Sequence, residues 1–124
     1  SLKPGGTAGL QVITINDAGF ESYRRRPDFI QRYVFPGGML PTPTHLRNLG
    51  AAHDLVLRSE RVFAADYART LSEWRARFWA SWESVRKLGF DERFKRLWEF
   101  YLYYCEAGFR SEYIDVRQVV FARN

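Results

Sequence analysis

The sequence predicts an α/β fold of about three strands, two long helices and several short ones. Three observations carry that prediction. Between residues 67 and 85, Tyr67, Leu71, Trp74, Phe78, Trp82 and Val85 recur at intervals of four, three, four, four and three, which draws one apolar stripe down a helix. A second stripe, Phe94, Leu97, Trp98, Tyr101 and Cys105, follows once Gly89 has ended the first helix and Asp91 has capped the next. Runs rich in β-branched residues, Ile13-Thr-Ile15 and Val119-Val-Phe121, lie near the two ends.

Taken in order, Thr7–Ile15 reads as a buried strand that follows a Pro-Gly-Gly turn. Residues 28–34 read as a short helix that stops at Phe35-Pro36, because proline has no N–H to continue it. Residues 44–49 read as another, with Thr42 or Thr44 as cap and Gly50 as stop. Residues 55–61 and 114–121 supply the second and third strands, and the loop cluster is confined to residues 36–43. The paired aromatic stripes read first as core packing. A channel lined in part by the same side chains is the second reading.

Composition narrows the function classes. At 124 residues the chain is one domain or less. With 46% hydrophobic and 27% charged residues it can build a core, which excludes wholesale disorder. A single cysteine excludes an intramolecular disulfide framework and suits a reducing compartment, and Cys105, on an apolar stripe, reads as buried and inert. No run approaches the ~18 apolar residues of a membrane span, and the start carries no signal-peptide pattern. His45 and His53 have no cysteine or carboxylate spacing that completes a metal site, and nucleophile-elbow and phosphate-loop motifs are missing. The net charge of +5 favours an anionic partner or surface. Its densest patch is Arg24-Arg-Arg26, with further Lys or Arg at 32, 75, 77, 86, 87, 93, 95 and 96, many of which suit solvated helix faces.

The most informative segment is Arg32-Tyr-Val-Phe-Pro-Gly-Gly-Met-Leu-Pro41. Phe-Pro-Gly-Gly holds no acid, base, nucleophile or ligand, but it turns the backbone tightly beside apolar side chains and so can shape a pocket wall. It resembles the Phe-Pro-Gly-Gly-x-Leu-Pro segment of the cyclopropane-fatty-acid synthase and mycolic-acid methyltransferase family. The resemblance extends in family order through Leu2-Lys-Pro-Gly-Gly6, Ile13-Thr-Ile15, Asp66-Tyr-Ala-Arg-Thr-Leu-Ser-Glu-Trp74, Phe94-Lys-Arg-Leu-Trp-Glu-Phe-Tyr-Leu102, Cys105-Glu-Ala-Gly-Phe109 and Asp115-Val-Arg-Gln-Val-Val-Phe121. Leu-Lys-Pro-Gly-Gly is common to many methyltransferases, whereas the ordered set is specific.

The resemblance implies the C-terminal part of a class I (Rossmann-like) methyltransferase, with a final antiparallel strand and short lid helices. Such enzymes bind S-adenosylmethionine at a glycine-rich turn after their first strand. No such turn occurs here: Gly5-Gly6 is followed by strand-like sequence. Residues 1–124 are therefore expected to be one part of a larger enzyme, inactive alone, with no cofactor-binding residue of their own and a sheet edge that would invite pairing with a second copy.

The family transfers the S-adenosylmethionine methyl to the double bond of an unsaturated acyl chain. A carbocation results, and loss of a proton closes a cyclopropane, or a methylene or methyl branch results after other processing. Such a cation needs a dry cavity, a placed base and π or negative electrostatic support. The family's base is implied to be a bound bicarbonate. Tyr67 matches the tyrosine that contacts this ion, and Ile13 matches a residue whose backbone reaches it. Phe35, Leu40, Leu71 and Phe109 match positions lining the acyl tunnel, though core packing competes at each. Gln11 departs from the pattern, standing where the best-characterised cyclopropane synthases carry a histidine. An amide can hold an anion but cannot titrate, which leaves ring closure and methyl branching both open. The implied partner is an unsaturated acyl phospholipid, and the implied location is cytoplasmic, peripheral to the inner membrane face.

Three other readings compete, one of them a purely structural helical scaffold. A methyltransferase for another hydrophobic small molecule fits the same residues. A basic, aromatic nucleic-acid module needs exposed aromatics along a cationic groove, but here the aromatics fall at helical core spacing, which argues for no nucleic acid.

Overall fold

A computed structural model describes residues 2–124, which divide into two compact units. The first combines residues 2–63 with Tyr113–Asn124, and the second is Ala64–Glu112.

The sheet unit holds three strands, β1 (Thr7–Ile15), β2 (Leu55–Val62) and β3 (Ile114–Arg123), in the order β1-β3-β2. Both neighbours run antiparallel to β3, as expected for a last strand reversed against the others. The β1–β3 register pairs Gln11 with Gln118, Ile13 with Val116 and Ile15 with Ile114. Because side chains alternate along a strand, these six share one face, while Thr14, Arg117, Val119 and Phe121 share the other. Strand β2 carries an irregularity between Leu57 and Ser59, which shifts its register on β3.

Helix α2 (Pro43–Ala52) packs on the Phe121 face. Thr42 is its cap: the Thr42 hydroxyl accepts from the His45 N–H at 3.1 Å, and the His45 Nδ1 accepts from the Thr42 N–H at 3.2 Å. His45 is thus a capping residue, and its ring meets Phe20 edge-on. Gly50 does not end the helix as expected. It lies inside it, where a Cβ would come within 2.6 Å of the Phe121 ring, so glycine is there for close approach. The helix gives way at His53 and Asp54, the latter at φ 57°. The same face carries an ionic chain: Arg117 donates to Glu60 at 2.7 Å and to the buried Thr14 hydroxyl at 3.0 Å, and Arg47 lies 3.7 Å from Glu60.

Between β1 and α2 the chain makes a 3-10 turn at Asp17–Gly19 and helix α1 (Phe20–Arg25), which the sequence reading omitted. The helix expected at 28–34 is a π turn at Ile30–Val34. Reciprocal bonds between Asp28 and Gln31 start it, each N–H donating to the other's side-chain oxygen at 2.9–3.0 Å.

The helical unit contains α3 (Ala64–Ala80), α4 (Trp82–Lys87) and α5 (Glu92–Arg110). The single first helix expected from the stripe is interrupted at Ser81, whose ψ of 2° departs from the helical value, so Trp82 and Val85 belong to α4. Gly89, at φ 99°, stops α4, and Asp91 caps α5 by accepting from the Phe94 N–H at 2.9 Å, both as expected. Helices α3 and α5 bury Ala68, Leu71, Leu102, Cys105 and Phe109, so Leu71 and Cys105 of the two stripes are core residues, whereas Trp74 of the first is 44% exposed.

Candidate functional site

In the sheet unit, Gln11 is exposed near the middle of β1, and Ile13, two residues on, is half-buried. The Gln118 side-chain amide donates to the Gln11 carbonyl oxygen at 2.9 Å across the register. This orients Gln11: with its oxygen engaged, its NH2 group is the end available to an anion. Gln118 was quoted within a motif but not singled out. Its relevance depends on strand register, which places residues 107 apart in sequence side by side.

The Phe-Pro-Gly-Gly turn is built as its residues require. Pro36 takes the second turn position, Gly37 takes the third at φ 78°, and the Gly38 N–H donates to the Phe35 carbonyl at 2.9 Å. Three further bonds fix the segment within the unit. The Gln31 side chain donates to the Gly38 carbonyl at 2.8 Å, the Leu40 N–H donates to the Tyr23 hydroxyl at 2.8 Å, and the Ile15 N–H donates to the Pro41 carbonyl at 3.0 Å. Burial pushes the titration of Tyr23 upward, although its bond with Leu40 opposes this. Phe35 is 57% exposed and Leu40 half-buried. Asp17 is tied to the start of α2: burial pushes its carboxyl up, but hydrogen bonds from Thr44 and Thr42 and the charge of Arg47 outweigh that and set it low.

In the helical unit, Tyr67 stands on the first turn of α3, half-buried. Its ring meets Phe109 edge-on at 5.0 Å and Trp74 edge-on at 5.9 Å. Leu71 and Phe109 are 3% and 2% exposed, so both are packed in the core as this unit stands. The helical spacing brings in Tyr101, which the stripe had marked only as core. Burial, then the neighbouring Cys105 thiol and its hydrogen bond, then Tyr67 push the Tyr101 hydroxyl up to about 12. Tyr67, Tyr101, Cys105 and Phe109 therefore form one cluster of rings, hydroxyls and a thiol, with the Tyr101 phenol neutral at ordinary pH.

Beside that cluster lies Glu106, 7% exposed, a charged residue that the sequence reading did not single out. Arg75 on α3 donates to one carboxylate oxygen at 3.1 Å, and Arg110, one turn along α5, donates to the other at 2.8 Å. Burial pushes the carboxyl up, yet the bonds and charges of Arg110 and Arg75 win and hold it below the ordinary range. Arg75 also stacks 4.0 Å over the Tyr103 ring and donates to its hydroxyl at 3.0 Å. This is a structural clamp between α3 and α5.

An open groove of about 680 Å³ lies elsewhere in the sheet unit, where Arg47, Asp54, Leu57 and Arg123 help line it. None of the residues singled out from the sequence borders it. Among the described residues there is no cluster able to hold a metal, and no helix is long and apolar enough to cross a membrane.

The fold is that of a stretch of an α/β methyltransferase. The crystal structure of the mycolic acid cyclopropane synthase CmaA1 complexed with SAH and CTAB matches 95% of this chain at a TM-score of 0.83 and 26% identity, with 44% of that chain covered. The family model described as mycolic acid cyclopropane synthetase matches residues 1–119. The chain therefore belongs to the mycolic acid cyclopropane synthetase family. It is 41% identical over 118 residues to tuberculostearic acid methyltransferase UfaA1 of Mycobacterium tuberculosis, covering 94% of this chain and 28% of that protein. It is 38% identical over 124 residues to the cyclopropane-fatty-acyl-phospholipid synthase of Escherichia coli, covering 99% of this chain and 31% of that protein. The chain thus spans less than a third of the length of these two relatives.

Proposed function

We propose that this chain works as the C-terminal part of an enzyme that adds a one-carbon unit to the double bond of an unsaturated acyl phospholipid. The observation that carries this reading is the family match over residues 1–119. The names of the two relatives, one a tuberculostearic acid methyltransferase and one a cyclopropane-fatty-acyl-phospholipid synthase, set its two arms: methyl branching and ring closure.

S-adenosylmethionine does not fit the residues present. Gly5-Gly6 leads into β1, and Gly37-Gly38 follows a π turn, so neither joins a strand to the start of a helix as a dinucleotide-type turn does. We assign the cofactor to residues outside this chain, in keeping with the SAH bound by CmaA1. A small oxyanion such as bicarbonate does fit the donor chemistry. The Gln11 amide of the sheet unit, oriented by Gln118, offers N–H donors. Within the sheet unit the work of Gln11 is to hold that anion, and within the helical unit Tyr67 and Trp74 can offer ring faces to developing positive charge. The Phe35-to-Leu40 turn would receive the acyl chain.

The test uses the longer enzyme that carries this chain, with labelled S-adenosylmethionine and vesicles of unsaturated anionic phospholipid, and mass spectrometry of the acyl products. A gain of one methylene that survives hydrogenation without becoming a branched saturated chain identifies ring closure. A gain that becomes a branched saturated chain identifies methyl or methylene addition. No gain on any unsaturated phospholipid overturns the proposal.

A further inference from the structure

The arginine cluster noted in the sequence acquires a definite setting in the sheet unit. Helix α1 buries Tyr23 and leaves Arg24, Arg25 and Arg26 exposed beside it. Through the Tyr23 hydroxyl, which receives the Leu40 N–H, α1 is joined to the segment that ends the Phe-Pro-Gly-Gly turn. That segment and the π turn before it carry Arg32, exposed, with Tyr33 at 65% and Met39 at 55% exposure. The backbone beneath is held by the Asp28–Gln31 pair and by the Gln31 bond to Gly38, so the display is fixed rather than loose. Between residues 20 and 41 the acidic residues are Glu21 and Asp28, against four arginines, and Glu21 is shared between Arg24 at 3.0 Å and Arg25 at 3.4 Å. On the helical unit, Arg69 and Arg77 both pair with Glu73, and Arg86 pairs with Glu83.

We propose that Arg24, Arg25, Arg26, Arg32, Tyr33 and Met39 form a docking surface for an anionic phospholipid bilayer. Arginines reach headgroup phosphates, while a tyrosine with an apolar body and polar tip, and a flexible thioether, settle at the boundary between headgroups and acyl chains. A fixed cationic rim around exposed apolar groups is complementary to such a boundary, which is anionic above and apolar below. The surface deepens the proposed function, on which it rests only for the fate of the lipid: it sets the mouth of the Phe35-to-Leu40 turn against the membrane from which the acyl chain would come.

The experiment is co-sedimentation of the whole chain with vesicles of phosphatidylcholine, alone or mixed with phosphatidylglycerol. Binding is expected only with phosphatidylglycerol, and to fall as salt rises. Replacing Arg24, Arg25 and Arg26 by alanine should weaken it by about fivefold per arginine. Tyr33→Ser with Met39→Ser should weaken it separately, while Leu88→Ser, at an exposed apolar site on the helical unit, should leave it unchanged. Circular dichroism confirms that each variant keeps its fold. Equal binding to phosphatidylcholine alone overturns the proposal, as does indifference to the arginine changes, loss on Leu88→Ser, or binding of single-stranded oligonucleotide in place of vesicles. Vesicle binding without lipid methylation by the longer enzyme would sink the proposed function and leave the surface standing. Methylation of detergent-dispersed lipid without vesicle binding would do the reverse.

Discussion

In the sheet unit the decisive contacts run through the backbone: a register that pairs Gln11 with Gln118, a turn that needs Gly37 at positive φ, and a helix that meets Phe121 only because Gly50 has no side chain. In the helical unit they run through side chains: the Tyr67–Phe109 edge contact, the buried Leu71 and Leu102, and a carboxylate clamped by two arginines. The site residues follow the same division. Those of the sheet unit sit on exposed or half-buried positions, whereas Leu71 and Phe109 are 3% and 2% exposed.

This contrast can be tested by ranking substitutions. All four tryptophans lie in the helical unit, so their fluorescence during urea unfolding reports that unit, while amide exchange of the strands reports the other. The largest loss is expected for Phe109→Ala, about 3–5 kcal/mol, because the emptied volume is walled by packed side chains. Glu106→Gln comes next, at about 1.5–3 kcal/mol, since two charge-assisted partners lose their carboxylate. Its effect depends on pH. The Glu106 carboxyl is set lower in the folded chain than in the unfolded one, so its contribution is complete above the unfolded value of 4.5 and is lost as pH falls through the folded value. Urea midpoints of the parent should therefore fall on acidification below about pH 5 more steeply than those of Glu106→Gln.

In the sheet unit, Gly50→Ala should cost about 1–2 kcal/mol net, the clash with Phe121 outweighing the better helix propensity of alanine. The smallest effect is expected for Thr42→Ala, about 1 kcal/mol, from loss of the α2 cap. Faster strand exchange with unchanged tryptophan fluorescence would mark both as local to the sheet unit. If Gly50→Ala instead cost more than Phe109→Ala, the division between backbone-held and side-chain-held units would fail.

The sequence allowed a reader to anticipate what periodicity and caps encode. The bounds of β1, the Asp91 cap, the Gly89 stop and the core-facing side of α3 and α5 all follow from local pattern. Helix α1 escaped because six residues ending before Pro27 are too short to draw a stripe. The Ser81 interruption escaped because the apolar spacing continues across it. Gly50 was taken for a stop because its reason, Phe121, stands 71 positions away. Of the site residues, Tyr67, Phe35 and Gln11 stood out only through their motifs. Gln118, Tyr101 and Glu106 acquire meaning from neighbours that tertiary structure supplies.

The order of the strands in the sheet has a consequence for how the chain comes into being. Strand β3 is the last of the three to be synthesised, yet it alone hydrogen-bonds both others. Within residues 2–124, β1 and β2 find no strand partner until β3 is made, whereas α3 and α5 are already complete and can pair. A polypeptide stalled just before Ile114 would thus leave open the edges of β1 and β2 that β3 is to pair, a state that calls for chaperone protection. The helices form early, and the sheet closes only when its centre arrives.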